Sequence, residues 1–349
     1  VILDRVSQLF ERYGVIVAFL GLVVWNGVFA ESADVFRTPE NLRNVLNQNA
    51  ATGIVAVGMT LVIVGGGIDL AVGSVMALAA AIGLLAANAF LGFSETHVTN
   101  GTLSANAAEW LAVAIGFAAG IGTGMAAGAL NGALVTLGRL PAFIATLGGL
   151  VGYRSITLAL ADAGEIRAAK TSVLSEIGRG GLPVVPGDWL ASGKTLVFNW
   201  SIITFVVVAV LGQLLLSRTR YGRHLVAVGG NPMAARYSAI AVDRVRFVSY
   251  VLIGLCAAIA GLLQMARMAS VSTSQLGSQM ELDAIAAVVI GGTAMSGGRG
   301  RIWGTVLGVL ILGIINNMLI VSEVSTHWQG AVKGAIIVVA VLIQRGRKS

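Results

Sequence analysis

The chain has 349 residues, of which 56% are hydrophobic and only 11% charged, against about 25% charged in an average soluble domain. That balance excludes a soluble domain and places the chain in a bilayer. The formal charge of +7 would suggest nucleic acid in a soluble protein, but here it is the ordinary surplus of Lys and Arg on the cytoplasmic side of a membrane protein, so no nucleic-acid partner is expected.

The length accommodates roughly ten spans of about 20 residues with short connections. No polar block is large enough to fold alone, so residues 1–349 read as a single transmembrane domain. The fold class expected is an all-α polytopic membrane protein of about ten helices, some of them broken by glycine. Cys256, the only cysteine, lies in an apolar run and reads as a small core residue. His97, His224 and His327 are scattered, and no metal-ligand spacing links His, Cys, Asp and Glu.

In chain order, Ile2, Leu3, Val6, Leu9 and Phe10 share one helical face, which predicts an amphipathic helix over 1–12 on the cytoplasmic surface. Arg5 and Arg12 then precede an apolar run from Tyr13 to Ala30. The run ends in Val28-Phe29-Ala30, which resembles a cleavage site. It is longer than a signal-peptide core, and it reads as an uncleaved first span. Thr38-Pro39-Glu40 combines a capping residue with proline at the first helical position. With Leu42, Val45 and Leu46 as its apolar face, it predicts a helix lying along the outer surface. Spans are expected at 13–30, 50–66, 71–91, 109–136, 142–161, 199–217, 246–269, 282–296, 302–321 and 329–344.

In the fourth span, Gly116, Gly120, Gly124, Gly128 and Gly132 recur every fourth residue, a smooth stripe for close helix packing. Residues 162–198 form the largest outer loop, too short for an enzyme domain. With the N-terminus inside, simple alternation sends Arg139, Arg218, Arg220, Arg223, Arg236, Arg244, Arg246, Arg299, Arg301, Arg345, Arg347 and Lys348 to the cytoplasm. The same alternation sends most acids to the other side, as the positive-inside bias requires. Both termini are then cytoplasmic.

The arginine-rich stretch 218–245 is the main cytoplasmic feature. Asn231 is a good N-cap and Pro232 a good first helical residue, so a helix of about two turns is expected to end at Ile240, with Asp243 capping the next span. Ala234 and Ala235 offer a small-residue face for a partner, with Arg236 at its rim to pair with an acid on that partner.

Two glycine-broken apolar segments, VIVGGGIDLAVGSVMALAA (62–80) and AVVIGGTAMSGGRGRIWGTVLGVL (287–310), hint at an internal repeat. Such breaks free backbone groups and usually line a cavity or path, which singles out Gly65, Gly66, Gly67, Asp69, Gly291 and Gly292. Capping a helix that begins near Leu70 explains Asp69. A carboxylate at membrane depth is also a candidate for the path. Gly193-Lys194-Thr195 lacks the earlier glycine of a phosphate loop, since residue 188 is aspartate, and Gly298-Arg299-Gly300 fails the dinucleotide pattern. No hydrolase elbow or zinc-helix pair is present, so no catalysis is expected on this chain.

GMTLVIVGGGIDLAVGSVMALAA, VGGNPMAARYSAIAVDRV and ELDAIAAVVIGGTAMSGGRGRIWGTVLGVLILGIINN strongly resemble permease subunits of ATP-binding cassette importers for simple sugars, the ribose, xylose and galactose type. TPENLRNVLNQNA and NGALVTLGRLPAFIATLGGL extend the likeness over most of the chain. Ala71 stands where that family usually has serine. The resemblance implies a type II importer-like fold and a coupling helix over 229–240, carried by Gly229, Gly230, Asn231, Pro232, Ala234, Ala235, Arg236 and Ser238. It also implies a separate ATPase subunit with two fused cassettes that holds ATP and Mg, a periplasmic sugar-binding protein, and a second permease copy, with no cofactor on this chain. The alternative, an ion-coupled secondary transporter, should carry a relay of intramembrane Asp, Glu or His. Asp69 alone does not make one.

Overall fold

The computed structural model describes residues 15–17, 19–29, 33–101, 103–170, 172–186 and 195–325, with isolated positions from 328 to 338. The expected surface helix at 1–12 and most of the tenth span lie outside the described residues.

Residues 19–24 are helical and run into a π-helical turn, Trp25–Phe29. A short helix α1 (Ala33–Phe36) follows. Thr38 then caps α2 (Pro39–Val64), its hydroxyl accepting from Asn41 N at 3.2 Å. The separate surface helix read from the sequence is instead the first turns of this 26-residue helix, about 39 Å long. Its inward residues are Val45, 3% exposed, and Asn41, 9% exposed, whereas Leu42 is 56% exposed. Asn41 exchanges two side-chain amide bonds, 3.0 and 2.9 Å, with Asn317. Asn49 does not interrupt the helix, because its amide donates back to Val45 O.

The remaining helices are α3 (Val72–Thr99), α4 (Ala105–Thr136), α5 (Ala142–Ala159), α6 (Ser172–Arg179), α7 (Trp200–Arg218), α8 (Arg220–Gly230), α9 (Pro232–Tyr237), α10 (Val242–Met268), α11 (Met280–Ile290) and α12 (Ile302–Val321). Among the described residues seven helices, α2, α3, α4, α5, α7, α10 and α12, are long and apolar enough to cross a membrane. The expected eighth span is only the 11-residue α11, about 16 Å long and too short to cross alone.

The most buried span is α2, and α4 packs closely along both α3 and α10. Side chains added to Gly116, Gly120, Gly124 or Gly128 of α4 would strike backbone. A Cβ on Gly120 would lie 2.8 Å from Ala79 O, and one on Gly124 would lie 2.5 Å from Gly254 O and from Ala258 Cβ. Gly116 likewise sits on Gly83 O, and Gly128 on Tyr250 O. Helix association in lipid gains from such close backbone approach, since apolar side chains lose no water on pairing there.

At the end of the bundle opposite α9 the chain adds two strand pairs to the helical fold. β1 (Glu165–Arg167) runs antiparallel to β4 (Ser270–Ser272), with Ile166 opposite Val271, and β2 (Gly181–Val185) runs antiparallel to β3 (Leu196–Asn199). Hydrogen bonds from Ser270 and from Arg167 hold the Glu165 carboxyl below its ordinary range. Asn88 of α3 ties this loop down, donating to Arg167 O and accepting from Ala169 N.

Candidate functional site

At the arginine-rich end, three segments meet backbone to backbone. The first is the end of α2. Gly65 closes the helix, Gly66 takes the left-handed conformation (φ +79°), and the N–H groups of Gly66 and Gly67 donate to Ile63 O and Val62 O. The second is the loop after α11, which touches the others through Gly297 and Gly298 and begins by repeating this helix-end pattern. Gly292 has φ +85°, and Gly292 N and Thr293 N donate to Val289 O and Val288 O. Both are Schellman closures, for which glycine is favoured because the left-handed residue carries no Cβ penalty. The likeness between the two broken segments is therefore geometric as well as compositional.

The third segment is the end of α8. The sequence predicts only a cytoplasmic loop over 218–230. It is an amphipathic helix capped by Thr219 (3.1 Å to Gly222 N), with Leu225 and Val228 fully buried. The legible signal was the spacing of Leu225, Val228 and Gly229, which puts them on one helical face. Tyr221 donates to Val245 O at 3.2 Å, and burial pushes its phenol up. At the helix end, a Cβ on Gly229 would overlap Val64 O and lie 2.6 Å from Gly298 N. Gly298 N itself donates to Val64 O at 2.9 Å. Gly297 and Gly298, both at positive φ, press on Gly66 and Gly230. Arg246 on α10 completes the junction by donating Nε–H to Gly65 O at 3.3 Å, and Tyr250 OH donates to Ile68 O at 3.2 Å.

The next helix, α9, projects from this junction. Asn231 Oδ1 accepts from Met233 N (3.1 Å) and Ala234 N (3.0 Å), and Pro232 opens the helix. The helix ends at Tyr237 rather than Ile240. Ala239 is left-handed (φ +59°), and Ile240 N returns to Ala235 O. Gly230, Asn231, Pro232, Met233, Ala234, Arg236, Tyr237 and Ser238 are exposed, whereas Gly229 and Ala235 are buried. Ala235, at 4% exposure, belongs to the chain's own core, which corrects its placement on a face offered to a partner. Arg236 is likewise engaged within the chain, 3.3 Å from the Asp243 carboxylate. Asp243 makes this exposed pair instead of capping α10, whose N-cap position is Ala241.

A cleft of about 540 Å³ opens beside the junction, lined among others by Gly65–Gly67, Arg139, Arg236, Asp243, Arg246 and Tyr250. Asp69 is not part of its lining. It is 2% exposed, and its Oδ1 accepts from Ala71 N at 2.8 Å. It therefore forms a local Asx turn, and α3 starts two residues later than expected, at Val72. The Asn131 side chain faces the Asp69 carboxylate without closing a hydrogen bond through Nδ2. Asn131 Oδ1 accepts from Tyr153 OH at 3.0 Å. Gly291 is packed against Gly304 on α12, and Gly292 has open space around it.

One charged residue escaped sequence reading altogether. Arg154, five residues before the end of the α5 span, donates through one nitrogen to Thr273 O (3.0 Å) and Leu276 O (2.8 Å), with Glu281 close enough to act on it electrostatically. An arginine inside an apolar run was the signal that could have found it.

A family model described as "Branched-chain amino acid transport system / permease component" matches residues 41–341. Ribose import permease protein RbsC of Escherichia coli (strain K12) is 35% identical over 95% of this chain and 94% of its own length. Ribose import permease protein RbsC of Bacillus subtilis (strain 168) is 38% identical over 95% and 92%. Xylose transport system permease protein XylH of Escherichia coli (strain K12) is 31% identical over 98% and 92%. No solved structure matches the chain significantly.

Proposed function

The chain belongs to the branched-chain amino acid transport system / permease component family, and we propose that within it this chain is the membrane subunit of an ATP-driven monosaccharide importer. The ribose and xylose permeases named above support a sugar over the amino acid of the family description, because they resemble this chain over nearly its whole length. The subunit hydrolyses nothing itself. ATP and Mg reside on a separate ATPase with two fused cassettes, a periplasmic binding protein delivers the sugar to the loop over 162–198, and two permease copies enclose the path. The membrane is the bacterial inner membrane, with both termini and the 218–245 segment in the cytoplasm.

The observation that carries this reading is the exposed face of α9. Met233 is 60% and Tyr237 85% exposed, two large side chains held away from the chain's own core on a helix rooted by buried Ala235 and Gly229. Buried interface cores are enriched in methionine and tyrosine, so this face suits docking on the ATPase. The adjoining Gly229 contacts would carry displacement of α9 into both helix breaks. Closure of the cassettes on ATP would then rock the spans and open the path to one side at a time.

The test is reconstitution with the ATPase and the binding protein in proteoliposomes holding ATP. Monosaccharide uptake that requires ATP and the binding protein is expected. Uptake driven by an ion gradient without the ATPase would instead establish the secondary transporter.

A further inference from the structure

Thr273 is tied to the outer loop, its hydroxyl donating to Gly164 O at 2.7 Å. Only four residues later, Gly277 lies against Gly73, near the start of α3. Three measurements place Gly277 and its neighbours deep in the membrane. Gly73 precedes Asn88, the outer-loop anchor, by fifteen residues, or about 22 Å of helix. The helix α11, which starts at Met280, runs only about 16 Å before the glycine junction, roughly half of a 30 Å hydrocarbon core. Arg154, which holds the segment by the carbonyls of Thr273 and Leu276, stands twelve residues, or about 18 Å, from the arginine-rich end of α5 and five residues, or about 8 Å, from its other end.

At that depth the backbone from 273 to 279 is not helical, and Gly277 and Gln279 have positive φ. Yet Ser274, Gln275, Ser278 and Gln279 are all exposed, and Arg154 and Glu281 are half-exposed beside them. On α5, Gly152 and Ser155 leave the space next to Arg154 uncovered. Irregular backbone and polar side chains cannot face hydrocarbon, and they persist at membrane depth only where they are buried in protein or line water.

We propose that Ser274–Glu281 lines a hydrated passage, and that Gln275, Gln279 and Glu281, with Arg154, bind the hydroxyl groups of a neutral sugar within the membrane. Amides, a carboxylate and a guanidinium are the donors and acceptors that several hydroxyls require, and the exposed setting makes this a weak station rather than a tight site. The proposal rests on the importer reading above.

The test uses the whole reconstituted complex, with Cys256→Ala in the permease, and Gln275→Cys or Ser278→Cys probed by a charged, membrane-impermeant methanethiosulfonate. Leu211→Cys on the apolar face of α7, where Leu211 is 58% exposed, is the lipid-facing control. Both loop cysteines should react and the control should not, and monosaccharide with ATP and binding protein should slow the reaction at the loop. Gln275→Leu should lower the uptake rate about tenfold, the scale of one or two lost hydrogen bonds. It should leave sugar affinity of the binding protein and basal ATP hydrolysis unchanged. Unreactive loop cysteines in a complex that still imports sugar would overturn the proposal, as would reaction that sugar leaves unaltered. A wild-type complex that imports no sugar at all would instead refute the importer reading.

Discussion

Gly229→Ala probes the three-way junction at its tightest point. The new methyl would overlap Val64 O and lie 2.6 Å from Gly298 N, the two atoms joined by the 2.9 Å hydrogen bond that fastens the α11–α12 loop to the end of α2. Forcing a methyl into such a site costs about 1–3 kcal/mol. If the bond opens, the stranded buried N–H adds about 1–3 kcal/mol, while alanine's better helix propensity returns about 1 kcal/mol. The net expectation is a loss of about 1–5 kcal/mol with the bond open and about 0–2 kcal/mol with it kept. Gly230→Ala is the matched control, because its Cβ meets nothing closer than Gly298 Cα at 4.0 Å. The assay is the fraction of monodisperse permease in detergent as temperature rises, followed by sugar uptake per ATP hydrolysed in the reconstituted complex. The Gly229 variant should melt earlier and couple less well, whereas the Gly230 variant should behave as wild type. Wild-type melting and coupling for Gly229→Ala would refute the junction as a rigid joint.

Gly124→Leu should reduce the yield of folded protein, since even its Cβ would lie 2.5 Å from Gly254 O, while Gly122→Leu, with nothing within 4 Å, should express normally; equal yields would contradict close packing of α4. Asp69→Asn keeps an acceptor for Ala71 N and should transport normally, whereas Asp69→Ala strands that buried N–H at about 1–3 kcal/mol and should lower thermal stability. Uptake lost in the stable Asn variant would point to a role for the charge itself. Ala235→Glu should destabilise the permease, because Ala235 is buried in its own core. Met233→Asp should leave the permease folded and reduce co-purification of the ATPase, and full co-purification would remove α9 from the contact.

Composition and hydrophobic run length were enough to establish a polytopic helical membrane protein, because lipid leaves no other way to satisfy the backbone of apolar segments this long. Local chemistry was legible too. Thr38 and Asn231 cap where their residue types suggest, and paired glycines mark both helix ends, since capping and positive φ depend on a few neighbouring residues. What remained hidden depended on partners distant in the chain. Whether α2 began at Pro39 or at residue 50 turned on Asn41 meeting Asn317. Ala235 resembles Ala234 in the sequence, and only packing turned one inward. The glycines at 66, 229 and 297–298 look like three separate hinges until the fold stacks their backbones. Arg154 reads as an isolated charge until the chain brings the carbonyls of Thr273 and Leu276 to it, 119 and 122 residues away. Each of these outcomes is set by which surfaces exclude lipid or meet another backbone, a property of the assembled bundle that no single segment carries.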